Sequence, residues 1–207
     1  MDYDFLVSTY GTERLKVLSV WSMFRDEDLE FRPHPVDTRG RSVREHMVHQ
    51  CLSEDLWFRS ILGIDPGAPP LPDKETRIAF IQRYATDSAQ RLQKLSAQDQ
   101  GWWQEEVPFF DTRRSRAWIM VRRIAHTAHH RGQQTALLRM LNREIHSTYG
   151  PTADTGGLPR NDARTMYAYA DEDSLIRGEL SGGCKTPLPG PGTETVTERP
   201  HLIEHSS

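Results

Sequence analysis

Five of the nine histidines fall in two short segments, His46 and His49 in one, His126, His129 and His130 in the other. Imidazole titrates near neutrality and is the commonest metal ligand, so this grouping raises acid–base and metal chemistry together. His126 and His130 are at positions i and i+4. In a helix that spacing projects both rings from one face, about one turn apart. Two ring nitrogens so placed can reach one ion at the ~2.0–2.1 Å typical of zinc. Ile119, Leu137 and Leu141 fall near the same stripe, which turns the pair toward a packed interior. His129 is the rival partner, at i+3 from His126. It turns toward Arg122 and Arg123 and reads as a flank or as a group behind the ligands. Taken alone, the pair also fits two core histidines that merely exchange hydrogen bonds, because short motifs recur by chance.

The first segment offers a third ligand. His49 shares a stripe with Leu52 and Leu56, so it is expected to point inward. His46 competes; its downstream partners Gln50, Ser53 and Trp57 make a more mixed face. Spacing favours His49 without excluding His46. Three neutral nitrogens with an open fourth position suit a catalytic or substrate-binding metal, not a closed structural one. Glu54 is the candidate catalytic base, although a helical glutamate is more commonly solvated or ion-paired. Arg131 reads as a surface or interface charge. Cys51 reads as a small core residue, and Trp57 and Trp118 as core aromatics. Gly132, which costs up to ~1 kcal/mol relative to alanine in mid-helix, is expected to allow a close helix contact.

Positioning these groups requires long helices, and residues 1–145 can supply them. The first is expected from about Asp4 to about Phe24, with Leu6, Tyr10, Val17, Leu18 and Trp21 near helical spacing. The second starts at Ser42, where Ser42-Val43-Arg44-Glu45 is a capping box, and stops at Gly63. Four prolines between 66 and 72 stiffen the next connection. Asp73 then serves as the expected N-cap of a third helix reaching about Ser96. Gly101 to Asp111 is an aromatic-rich break, expected as a short extended excursion. The fourth helix is expected from about Thr112 to Asn142. Beyond it, residues 144–207 hold 8 of the 14 glycines and 6 of the 13 prolines, which rules out long helices there. Amphipathic helices of this number and length fit an all-α four-helix bundle, followed by an irregular extension over 146–207. After about Pro187 a disordered tail is expected.

Composition narrows the function classes. The net charge is −3, which argues against a nucleic-acid partner. No run approaches the ~18 apolar residues of a membrane span. The start, Met1-Asp2-Tyr3-Asp4, lacks the basic and apolar stretches of a signal peptide, so a cytoplasmic protein is expected. Cys51 and Cys184 are too few and too far apart for a disulfide framework.

Two stretches taken together resemble the DinB/YfiT-like superfamily. They are Ser42-Val-Arg-Glu-His-Met-Val-His49 with Glu54 and Trp57 following, and His126-Thr-Ala-His-His130-Arg-Gly-Gln133. The likeness covers roughly residues 1–145 in order and spacing. It implies a four-helix bundle, often dimeric, with a three-histidine site for a divalent metal such as zinc or nickel. By resemblance the ligands fall on His49, His126 and His130. Members include thiol S-transferases that use a low-molecular-weight thiol (bacillithiol or mycothiol), a mycothiol-dependent maleylpyruvate isomerase and proteins described as metal hydrolases. The expected function is therefore a metal-dependent enzyme acting on a small molecule, thiol transfer ranking ahead of hydrolysis. The alternative is a non-catalytic metal or small-molecule binding protein of the stress response. The stretch from His146 to Pro159 is similar to an extension of longer DinB-like proteins, and it is expected to wrap the bundle surface.

Overall fold

A computed structural model describes residues 3–192. Its long helices are α1 (Asp4–Met23), α2 (Val43–Trp57), α3 (Arg77–Ser96) and α5 (Arg116–Met140). Between α3 and α5 lie a short helix α4 (Gln100–Gln104) and a hairpin of β1 (Glu106–Phe109) and β2 (Thr112–Ser115). A further helix, α6 (Glu172–Leu180), lies in the C-terminal extension. The fold is all-α, as expected, with the antiparallel hairpin as its one named sheet among the described residues.

Local chemistry explains most boundaries. The Ser42 oxygen accepts from Glu45 N–H at 3.2 Å, and the Glu45 carboxylate accepts from Ser42 N–H at 2.7 Å. This is the capping box expected from the sequence. α2 runs on through a π-turn, Phe58–Leu62, to Gly63, whose φ of 70° ends the helix at little cost to glycine. The start of α3 differs from expectation. Thr76, not Asp73, is the N-cap, accepting from Ala79 N–H at 3.3 Å. Both residues can cap, but the chain bends at Asp73 and Lys74 before the helix begins. The expected start of the last long helix at Thr112 is also corrected. Thr112–Ser115 pairs with Glu106–Phe109, and Ser115 caps α5 through Trp118 N–H at 3.3 Å. The aromatic break is extended only over Glu106–Phe109, the first strand of the hairpin; its start, with Trp102 and Trp103, is helical as α4, so the expected excursion is met in part.

α1 packs on α3, α5 and α6, while α2 packs on α5 and α3. Trp21 is fully buried at the centre, with its ring 5.0 Å from Tyr84 and 6.3 Å, edge-on, from Phe80. A second apolar cluster joins Leu6, Phe58, Leu95 and Trp103 to the hairpin's Val107 and Phe109. Gly132 faces open space, so the close contact expected of it is not made. Trp57 is buried as expected, whereas Trp118 is 44% exposed and is not a core residue.

The extension folds back over the helices. Ser147 and Met166 pair through the backbone at 2.8 Å, and Thr186 N–H donates to Ala168 at 2.9 Å. α6 is fixed by Glu172 to Arg14 of α1 and by Glu179 to Arg77 of α3. At Gly178 an added Cβ would lie 2.5 Å from the Tyr169 ring, so any larger residue there requires that ring to move. Residues 187–192 are ordered against this layer, with Gly190 N–H bonded to Asp154 at 3.1 Å, contrary to the expected tail. Residues 193–207 lie outside the described residues. No helix among the described residues is long and apolar enough to cross a membrane.

Candidate metal centre

α2 carries His49, and α5 carries His126 and His130. Packing of the two helices brings the three rings together. His130 Nε2 lies 3.0 Å from His49 Nε2 and 3.2 Å from His126 Nε2. Two nitrogens on one tetrahedral ion at ~2.0–2.1 Å are themselves about 3.3 Å apart. The spacing therefore fits a shared cation.

Hydrogen bonding alone leaves this arrangement short of partners. His130 Nδ1 lies 2.9 Å from Gln133 Oε1, an acceptor, so Nδ1 carries the proton and donates. Nε2 of His130 then offers a single lone pair, faced by two other Nε2 atoms. One ring can donate to it; the other cannot. His126 Nδ1 is buried and has no hydrogen-bond partner. A cation would use all three lone pairs at once, and Gln133 would hold the central ligand in the right tautomer.

The electrostatics point the same way. Burial, then the fields of Arg123 and His130, push His126 down to about 3. Burial, then His49, pushes His130 down to about 4. Burial and Arg41 also lower His49. The three rings are therefore neutral at pH 7, the state a ligand requires.

The surroundings correct several expectations. His130 is buried, but His49 and His126 are half-buried at the edge of a pocket of about 440 Å³. The pair thus opens toward water and does not face a sealed interior. The reason is its company: Arg41, His49, Arg122 and His129 line the pocket with it, and no apolar group fills the space. Leu52 and Leu56, expected to form an inward stripe with His49, are 43% and 59% exposed. The buried residues of α2 include His46, Gln50 and Glu54 beside Val43, Met47 and Cys51. Gln50 accepts from Trp21 Nε1 at 3.3 Å. His46 is buried with its ring 5.8 Å from that of His130, and its Nδ1 has no partner. It is not one of the three converging nitrogens.

Glu54 is fully buried and engaged elsewhere. Tyr10 donates to it at 2.7 Å, Tyr84 at 3.0 Å and Arg91 at 3.4 Å. It is not among the groups that line the pocket. Arg131, expected at the surface, is buried and ion-paired to Glu13 at 2.5 Å. Cys51 is a core residue as expected. Trp57 is approached by the Arg123 guanidinium, 5.6 Å from its ring, and by His126, whose ring stacks at 5.9 Å. Gln133 carries a sequence signal of its own, since its position at i+3 from His130 permits the bond it makes. Arg122 sits one turn before His126 and was legible by the same arithmetic. Arg41 gave no signal, because only the fold brings it to the pocket.

The geometry so far defines a class: an all-α protein with three imidazoles gathered between its second and last long helices. The family model of the DinB family matches residues 6–159, and the chain belongs to that family. Among solved structures it is similar to a DinB-like protein from Bacillus cereus, with a TM-score of 0.61 and 16% identity. That likeness covers 70% of this chain and 95% of the other. A DinB-like protein from Bacillus subtilis aligns with a TM-score of 0.54 and 16% identity, covering 68% and 94% respectively. At such identities the likeness shows the fold alone. A comparison with curated proteins gives no match.

Proposed function

We propose that this chain is a metal-dependent enzyme in which His49, His126 and His130 hold one divalent ion, zinc or nickel, and leave a position open to a small-molecule substrate. The observation that carries the reading is the approach of three neutral Nε2 atoms within ligand-sharing distance beside an open pocket. A bound divalent ion supplies a Lewis acid that lowers the pKa of a thiol or water presented to it. The chain's own part is to hold the three rings in place. Gln133 keeps the His130 proton on Nδ1, and Trp57 supports the face of His126.

Among thiol transfer and hydrolysis, thiol transfer ranks first. Hydrolysis is commonly helped by a carboxylate near the attacking water. Among the described residues no carboxylate lines the pocket, and Glu54 is held by two tyrosines and an arginine. This argues against Glu54 as the base. A low-molecular-weight thiol arrives with its own nucleophile and needs only to be held as thiolate.

The test is to load the chain with zinc or nickel and assay thiol consumption with electrophiles beside ester and amide cleavage. Metal-dependent thiol consumption that is lost in His126→Ala supports the proposal. Metal bound tightly with neither activity would assign the chain a binding role instead.

A further inference from the structure

The rim of the pocket is basic and uncompensated. Its lining is three imidazoles, Arg41, Arg122 and His129, without an acid. Neither the Arg41 nor the Arg122 guanidinium has a hydrogen bond or ion pair among the described residues, whereas most arginines of this chain do. The two acids nearest Arg41 in sequence are already engaged: Asp37 by Arg39 at 2.7 Å, and Glu45 by Arg32 at 3.2 Å and by Ser42 N–H at 2.7 Å. α5 contains no aspartate or glutamate in its 25 residues, although the chain as a whole carries a net charge of −3.

We propose that Arg41 and Arg122 form an oxyanion subsite, so that the ligand entering the metal centre carries a carboxylate or phosphate group. This rests on the metal reading above and names the substrate class for it. Three neutral imidazoles do not offset the charge of a divalent ion. With two guanidiniums added, the pocket holds concentrated positive charge, and a concave surface focuses that field. Guanidinium forks match planar carboxylate or phosphate oxygens, and such charge-assisted bonds are about twice as strong as neutral ones. A ligand with a metal-seeking head and an anionic arm would satisfy both parts of the pocket.

The test uses the full chain loaded with cobalt. It is titrated with mercaptosuccinate and with 2-mercaptoethanol while the thiolate-to-cobalt absorption is followed. Mercaptosuccinate is expected to bind at least about tenfold more tightly. In the double variant Arg41→Gln, Arg122→Gln the preference should fall below about threefold, with cobalt stoichiometry unchanged. Arg164→Gln removes one charge from an exposed residue outside the pocket and should keep the full preference. Displacement by succinate or by inorganic phosphate tells which oxyanion the subsite takes. Equal affinity for the two thiols, or a preference that survives the double substitution, overturns the proposal. Should the wild-type chain take up no cobalt, the metal reading fails separately. The subsite is then decided by calorimetric titration of the metal-free chain with succinate and phosphate. Binding that the double variant loses supports it, and no binding of either anion overturns it.

Discussion

Gln133 and the three histidines define what single side chains contribute. Because Gln133 fixes the tautomer of His130, Gln133→Ala should weaken metal affinity about 10–100-fold, the usual cost of losing a group behind a ligand. Competition against a chelator measures this; unchanged affinity would remove Gln133 from the account. The same rings set a pH dependence. Unfolded, an imidazole takes up its proton near pH 6.5. Folded, His126 does so at about 3 and His130 at about 4. Between these limits the unfolded chain binds more protons, so stability rises with pH there. The metal-free chain should therefore lose thermal stability as pH falls from about 6.5 toward 4, and His126→Gln should lose less over that range. A flat profile in melting experiments would contradict the neutral, desolvated rings. His126 and His130 were legible because one helix sets their spacing. His49 was preferred for the wrong reason: Leu52 and Leu56 beside it are exposed, while polar Gln50 and Glu54 are inside. Hydropathy assigns polar residues to water, and it fails where tyrosine, tryptophan and arginine partners from other helices satisfy them.

At the scale of elements, Glu54 ties the helices together. From α2 it accepts from Tyr10 of α1 and from Tyr84 and Arg91 of α3, and Arg123 of α5 approaches it at 3.9 Å. Removing one member of a buried charge cluster strands the others, which typically costs about 3–5 kcal/mol. Glu54→Ala should show a loss of that size in denaturant unfolding, while a chain that still folds should keep its metal. Loss of activity with unchanged stability would restore Glu54 as a catalytic group. Helix α2 and the end of α3 were readable from caps and apolar spacing. The first turn of α3 and the β2 strand were not. Thr76 and Asp73 are both competent caps, and Thr112–Ser115 reads as helix until its pairing with Glu106–Phe109 is known.

For the whole molecule, the extension is part of the fold. α6 is held to α1 by Glu172, paired to buried Arg14, and to α3 by the buried Glu179, paired to Arg77. Its glycines and prolines announced irregular structure but could not announce these long-range pairs. The two helices that supply the histidines also expose Leu52, Leu56, Trp118 and Val121. The family resemblance implies a dimer, and these exposed apolar residues are where it is expected to bury surface. Light scattering should then give twice the mass of one chain, and Leu56→Arg should return it to one. A wild-type chain that scatters as a monomer would contradict this.

Zinc-edge X-ray absorption on the zinc-loaded chain tests the central claim most directly. The account predicts one zinc per chain, three imidazole nitrogens at ~2.0–2.1 Å and one further exchangeable ligand. It also predicts that His126→Ala abolishes that signal. No bound zinc, or a coordination shell unchanged by His126→Ala, would contradict it.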